Sequence, residues 1–367
     1  MGTIKRGFAN NILTTGKFDA TDLSGTIPSS NVANTTLSSI TSVPASVGDF
    51  VQSVAADPSP VSAGDVWYNT TAGAFKSEVL VADAWASSGN LTTARRFFGG
   101  AGTQTAGLGF GGYTPPNTPI ANTEEYDGST WTAGGNLGTR RSTNSGAGTQ
   151  TAALSIGGES SHLSPPITNS CEKYDGTSWT STGNLNTARA STGAAGTQTA
   201  ALVFGGDIPP PATGVTESFN GTSWTTSPAS LGTSRYLLGG TGTQTAALAF
   251  GGGTGSVTAA TEKYNGTSWT SVNSMNTARQ GLVSAGTQTA ALASGGTTGV
   301  RTGATEKWNG TSWTTTTSMS TARRSGATNI GTQPAGLYAG GDTPTANSVL
   351  TEEFTGATLT TKTITTS

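Results

Sequence analysis

Histidine occurs once in these 367 residues, at His162, and cysteine once, at Cys171. That scarcity narrows the chemistry. Metal centres built on several imidazoles are excluded, and no internal disulfide can form. A Ser-His-Asp arrangement would have to use His162, and no Gly-x-Ser-x-Gly turn is present to offer the nucleophile. Two carboxylates flanking a sugar linkage remain chemically permitted, with Asp207 beside Glu159 or Asp342 as the candidate pair. The side chains that break the pattern of their surroundings are Tyr113, His162, Asp207, Arg301 and Asp342. They lie in short loops of unlike sequence, at 113–119, 159–166, 207–212, 297–301 and 342–345, with a sixth loop at 253–257. Diverse loops on a constant frame are a common way to build a binding surface. Those five residues are therefore the candidate ligand contacts. Non-covalent binding, with no cofactor, no metal and no catalytic residue, is the expectation.

The frame that holds these loops is a repeat. Gly-Thr-Gln-Thr stands at Gly102, Gly148, Gly196, Gly242 and Gly286, and Gly-Thr-Gln-Pro at Gly331. Each copy leads through small and apolar residues to a Gly-Gly pair, then to a Glu-Lys-Tyr-Asn-Gly-Thr-Ser-Trp-like phrase and a Thr-Ala-Arg-like phrase. Steps of 44 to 48 residues mark one supersecondary unit used repeatedly. Runs rich in Thr, Val, Tyr, Phe and Trp are punctuated by Gly, Asn, Asp and Pro, and no helical spacing appears. Asp175-Gly176, Asn220-Gly221, Asn265-Gly266 and Asn309-Gly310 read as hairpin turns of the two-residue type I′ kind. Four strands per unit, six times over, predict an all-β protein with a six-bladed β-propeller.

Within the units Trp131, Trp179, Trp224, Trp269 and Trp313 recur in one place and are expected to wedge between neighbouring blades. Glu124, Glu172, Glu217, Glu262, Glu306 and Glu352 recur against Arg140, Arg189, Arg235, Arg279 and Arg323. A carboxylate and a guanidinium present in every unit suit an interblade ion pair better than a reaction centre. Cys171 replaces a Thr of the repeat and reads as a small buried residue. Closure leaves two options. Residues 77–85 and 351–359 both align with the outer half of a unit, with Leu359 in the Trp place. Seven outer halves against six inner halves allow six blades with a surplus strand, or a seventh blade shared by the two ends. Six is the expected number.

The order Gly205-Gly206, Phe219 and Trp224, matched by Tyr174 and Tyr264 in sister units, resembles the kelch family over residues 86–360. That resemblance implies a propeller and leaves function open, since such propellers serve enzymes, adaptors and binding proteins. The single His excludes the copper centre of kelch-type galactose oxidases.

Residues 1–64 are different, polar with isolated aliphatics, and expected to order only against partners. Leu-Ser-Gly-Thr-Ile-Pro-Ser-Ser-Asn-Val, ending at Val32, and the phrase from Gly64 to Lys76 resemble the N-terminal regions of bacteriophage tail fibres and related virion proteins. The division expected is 1–64 as an extended attachment or oligomerisation segment, 65–90 as a β-hairpin lead-in that could close the ring, and 91–367 as the propeller. The resemblance implies a virion structural protein made in the host cytoplasm and exposed on the particle. Its partners would be other virion proteins through 1–64, further copies of itself (a trimer foremost) and a host surface glycan or protein. A polysaccharide-degrading enzyme and a kelch-type interaction adaptor are the alternatives.

Charge and composition agree with an exposed particle protein. Only 10% of residues are charged and the net charge is −2, which gives no footprint for nucleic acid or an anionic membrane. No apolar run approaches 18 residues, and the start lacks an apolar signal core and the myristoylation pattern. Asn220, Asn265 and Asn309 match glycosylation sequons but are better explained as turns.

Overall fold

The computed structural model describes residues 52–160, 167–208 and 212–364, which fall into two compact units. Among the described residues there is no helix.

Residues 83–356 form the kelch-like β-propeller. Five four-stranded antiparallel blades lie at 99–133, 145–182, 193–226, 239–272 and 283–316. The sixth combines Ala335–Ala339 and Thr351–Thr355 with Ala84–Ser88, so the outermost strand of the last blade comes from the beginning of the unit. Phe354 pairs with Trp85 there as Phe219 pairs with Trp224 in the third blade. The outer half that completes the ring is thus supplied by Trp85, and Leu359 does not take the Trp place. Leu359 belongs to the second unit, a sheet ordered Gln52–Val54, Val66–Asn69, Ala74–Val81 and Thr358–Thr363. The expected division at residue 90 therefore falls earlier, between 82 and 83, and the last strand leaves the propeller. In the smaller sheet Asp57 accepts from Trp67 Nε1 at 3.0 Å, Asn69 Nδ2 at 2.7 Å and Lys76 Nζ at 2.8 Å. Lys76 and these further donors hold its carboxyl down at about 2.

The repeated residues of the propeller act at the seams. Each motif Gln reaches back and donates its carboxamide N–H groups to two backbone carbonyls of the preceding blade. Gln198 bonds Ala153 O and Tyr174 O at 3.1 and 2.5 Å, and Gln104 closes the ring on Gly336 O and Phe354 O. The indoles lean the same way. Trp179 stacks on Phe110 of the preceding blade with centroids 4.8 Å apart, and its Nε1 donates to Thr123 Oγ1 at 2.9 Å. Trp85, Trp131, Trp269 and Trp313 meet Thr305, Thr351, Thr216 and Thr261 alike. At the remaining seam Cys171 stands where the Thr would be. The Trp224 N–H faces that sulfur, a weak acceptor, and finds no oxygen.

Six guanidiniums are fully buried: Arg95, Arg141, Arg189, Arg235, Arg279 and Arg323. Arg189 is representative. It donates to Val215 O at 2.5 Å and Gly205 O at 3.4 Å, and pairs with Glu217 Oε1 at 2.8 Å. The other oxygen of Glu217 accepts the Asn186 N–H at 2.7 Å. In the second blade it is Arg141 that meets Glu172, while Arg140, the residue picked from the sequence, is exposed. The ion pair itself joins a connector to the blade it enters. The interblade link is made by the backbone. The carbonyl of each buried Arg accepts the N–H of the second Gly in the previous blade's Gly-Gly pair, at 2.8–3.0 Å. Those glycines lie at positive φ, as at Gly205 (68°) and Gly206 (105°), which an L side chain rarely adopts.

The outer turns differ from expectation. Phe219 and Trp224 pair directly, leaving a four-residue loop in which only Gly221 has positive φ. Asn220 Oδ1 accepts the backbone N–H groups of Thr222 and Ser223 at 3.0 and 2.9 Å. The side chain completes the turn, so a two-residue type I′ geometry is not used.

Two substitutions test these seams by chemical denaturation. Cys171→Thr should stabilise the chain by about 1 kcal/mol, because it gives Trp224 the acceptor found at the five sister seams. Glu217→Ala should cost about 3–5 kcal/mol, since it leaves the Arg189 guanidinium buried and unpaired.

Candidate functional site

One end of the propeller carries the variable loops. In every blade the residue after the Gly-Gly pair bridges to the residue after the buried Arg: Tyr113 with Arg96, Glu159 with Ser142, Asp207 with Ala190, Gly253 with Tyr236, Thr297 with Gln280, and Asp342 with Arg324. Where the loop is described throughout it folds back on itself, bridging Gly253 to Val257, Thr297 to Arg301 and Asp342 to Asn347. Equivalent positions around one rim therefore carry Tyr, Glu, Asp, Gly, Thr and Asp.

Beneath the rim runs a closed cycle of backbone hydrogen bonds. Phe97 N donates to Ser325 O, Thr143 to Phe97, Ser191 to Thr143, Leu237 to Ser191, Gly281 to Leu237, and Ser325 to Gly281, all at 2.7–2.9 Å. Every member has φ between 50° and 63°, and only one is glycine. Holding five side-chain-bearing residues there costs on the order of 1 kcal/mol or more each, offset by the surrounding blades. A small cavity of about 50 Å³ lies at this ring, lined in part by Phe97, Phe98, Thr143, Ser191, Leu237 and Leu282. That volume holds a water or two and no sugar.

Deeper along the axis the passage is crossed by Asn329. The sixth copy has one more residue than its sisters between the ring position and the motif Gly, Ser325 to Gly331 against Gly281 to Gly286. The extra residue puts Asn329 at φ 64°, with its Nδ2 donating to Gly146 O at 2.9 Å and Ala194 O at 3.1 Å. Its Oδ1 accepts from Ser284 Oγ at 3.1 Å. One side chain thereby ties blades two, three, five and six.

The rim is electrostatically lopsided. On one side Asp342 is buried among Arg301, Arg324 and Arg96. Arg301 Nε donates to it at 3.1 Å, Arg324 Nε at 3.2 Å, and Arg96 Nη1 stands 3.6 Å away. Adjoining this cluster, Tyr113 Oη donates to Glu159 Oε2 at 2.5 Å. Burial, with that hydrogen bond adding to it, pushes the Tyr113 hydroxyl up to about 12. Asp207 lies on the next blade. Burial first, and then the charge of Glu159, raise its carboxyl to about 6 against an opposing hydrogen bond from Ser191. A shallow groove of about 370 Å³ follows between blades three and four, lined by Ala212, Ser234, Tyr236, Thr254 and Gly255.

Of the residues expected to contact a ligand, Tyr113, Asp207 and Asp342 occupy equivalent rim positions, and Arg301 joins Asp342. His162 lies outside the described residues. Arg96 and Arg324 were not singled out from sequence. Their signal is the doubled arginine, Arg95-Arg96 and Arg323-Arg324, whose first member is buried and whose second is free to face the rim. Among the described residues no three His, Cys, Asp or Glu side chains gather as a metal-ligand set.

No family model matches this chain, and no curated protein matches it. Among solved structures, one titled "Structure of YjhT" superposes with a TM-score of 0.62 at 14% identity, covering 74% of this chain and 99% of that one. The fold is shared. At that identity the likeness reaches no further than the fold.

The raised Asp207 carboxyl has a measurable consequence. Relative to an ordinary value of 3.8, a folded value of about 6 means that the native state favours the protonated form. The associated stability is complete below pH 4 and is lost as pH rises through 6. In thermal melts between pH 4 and 7, Asp207→Asn should abolish that part of the decline.

Proposed function

We propose that this chain is a bacteriophage virion protein of the tail-fibre type, whose propeller binds non-covalently through the loop rim. The observation that carries the binding reading is a contrast. Gln, Arg and Glu repeat in all six blades, and Trp likewise, while the equivalent rim position changes from Tyr113 to Glu159, Asp207, Gly253, Thr297 and Asp342. A frame kept constant for packing and varied only at one rim is suited to recognition. The rim offers guanidiniums, carboxylate acceptors and aromatic rings, the groups that contact the hydroxyls, acids and ring faces of a saccharide. The virion setting rests on the resemblance of residues 1–64 to fibre N-termini. On this reading that segment assembles copies, and several weak rims act together on a surface with many ligands.

A second reading is favoured by one observation. Burial, with a contribution from Glu159, raises the Asp207 carboxyl to about 6, and an acid working with a second carboxyl is the arrangement used in glycoside hydrolysis. The chain would then cut the polysaccharide it meets.

One experiment separates the two. The full chain is applied to an array of bacterial surface polysaccharides, and reducing ends are assayed on every polymer retained. Retention with no new reducing ends, weakened by Arg301→Gln and unaffected by Thr289→Ala at the opposite end of the blades, is the expected result. Release of reducing ends that Asp207→Asn abolishes would establish the hydrolase instead. Light scattering on the same full chain is expected to give an oligomer, a trimer foremost. A monomer would remove self-assembly from residues 1–64.

A further inference from the structure

The three-arginine cluster at blades five, six and one carries an unbalanced charge. Among the described residues Asp342 is the one carboxylate paired with these guanidiniums, its side chain 2% exposed against 23–25% at Arg96, Arg301 and Arg324. Three positive groups and one negative leave a formal charge of +2 on a chain whose total is −2. The carboxylate is fully used. Oδ2 takes Arg301 and faces Arg96, and Oδ1 takes Arg324. The guanidiniums are not. Arg324 commits its Nε to Asp342, Arg301 its Nε and one terminal nitrogen, and Arg96 its Nη2 to Asn117 Oδ1 at 2.7 Å. A guanidinium has five N–H donors, so each part-exposed head retains donors beyond these bonds.

The cluster is also positioned. Arg96 and Arg324 lie over the Phe97 ring, 5.4 and 5.9 Å from its centroid, and Tyr113 meets the same ring edge-on at 6.3 Å. Buried Asp342 pins the three heads from three consecutive blades, so their remaining N–H groups are ordered before any ligand arrives. Glu159, the next acidic group along the rim, is engaged by the Tyr113 hydroxyl.

We propose that Arg96, Arg301 and Arg324 form a subsite for an oxyanion, the carboxylate of an acidic saccharide. This rests on the reading that the rim binds glycans and adds the charge class of the ligand. A planar carboxylate matches the fork geometry of guanidinium donors and supplies the missing negative charge. The saccharide that bears it would extend from the cluster along the rim towards Glu159, whose carboxylate accepts from hydroxyls. The attraction between guanidinium groups and a carboxylate is screened by salt, so the affinity should fall as salt rises.

The test is calorimetric titration of the full chain with a glucuronate-containing tetrasaccharide, with the same tetrasaccharide carboxyl-reduced to glucose, and with inorganic sulfate. The acidic tetrasaccharide should bind, the reduced one should bind at least about tenfold more weakly, and Arg301→Gln should weaken the acidic one by about tenfold. The affinity of the unaltered chain should fall several-fold between about 0.02 and 0.2 M NaCl. Sulfate bound equally well, with the same loss in Arg301→Gln, would keep the oxyanion site and overturn its assignment to a saccharide. Equal binding of the acidic and reduced sugars, insensitive to Arg301→Gln, would overturn the subsite while leaving a glycan-binding rim. An array that retains only neutral polysaccharides would do the same, whereas an array that retains nothing removes the rim reading itself. Should Arg301→Gln fail to fold, Arg96→Gln and the salt series on the unaltered chain decide between these outcomes.

Discussion

The propeller depends on a buried guanidinium repeated six times. A charge removed from water is costly unless it is paired, and here each guanidinium is given a carboxylate and backbone carbonyls, while Nε finds no partner at Arg95, Arg189, Arg235, Arg279 and Arg323. The side chain spans the third strand's Glu and the carbonyls that end the second strand, while its own backbone carbonyl holds the previous blade. One residue thus fixes a connector, closes a blade and docks that blade on its neighbour. The requirement explains the rest of the repeat. Glu is present because the guanidinium needs an anion. The paired glycines are present because the backbone that approaches the Arg carbonyl must turn at positive φ.

Thin blades of small residues need such polar fastening. Ala, Gly, Ser and Thr dominate the inner strands, so each blade buries little apolar surface of its own. The Phe, Tyr and Trp rings add to it both within a blade, as Phe219 meets Trp224 at 4.9 Å, and across a seam, as Phe110 meets Trp179 at 4.8 Å. The carboxamide clip at every seam, and the indole-to-hydroxyl bond at five of the six, then set the register. A packing surface that is nearly flat would otherwise allow sliding.

The sequence made the propeller legible because its period is set by these seams. The six Gly-Thr-Gln copies, the Trp series and the Glu series each correspond to a contact seen in the fold. Three features were not legible. Arg140 and Arg141 are chemically alike, and only the three-dimensional path shows which of them turns inward. The outer half of the last blade could have come from either Trp85 or Leu359, because both ends carry strand-forming residues of similar pattern. The rim cluster could not be read because Arg96, Arg301, Arg324 and Asp342 are far apart in the chain and meet only through the ring. Its ingredients were in view nonetheless. Arg301 and Asp342 stood out as departures from the repeat, and a departure from a strict repeat is where a ring acquires a front.

The strand Ala84–Ser88 is made early and used late. During synthesis it emerges before any complete blade, yet its partner Thr351–Thr355 follows only after the five intervening blades have been made. Until then the sixth blade lacks its outer edge, and Trp85 has neither Phe354 to stack on nor Thr305 to bond. The neighbouring pair, Ala74–Val81 with Thr358–Thr363, joins the same two stretches of chain in the smaller sheet. Ring closure is therefore a late and non-local event, slow by the entropy of the loop it seals. Once made, it holds both stretches at once, so unravelling from either end must first undo a paired strand. Until its partner arrives Ala84–Ser88 stands unpaired, and in the finished protein it covers Thr351–Thr355 and becomes the outer edge of that blade.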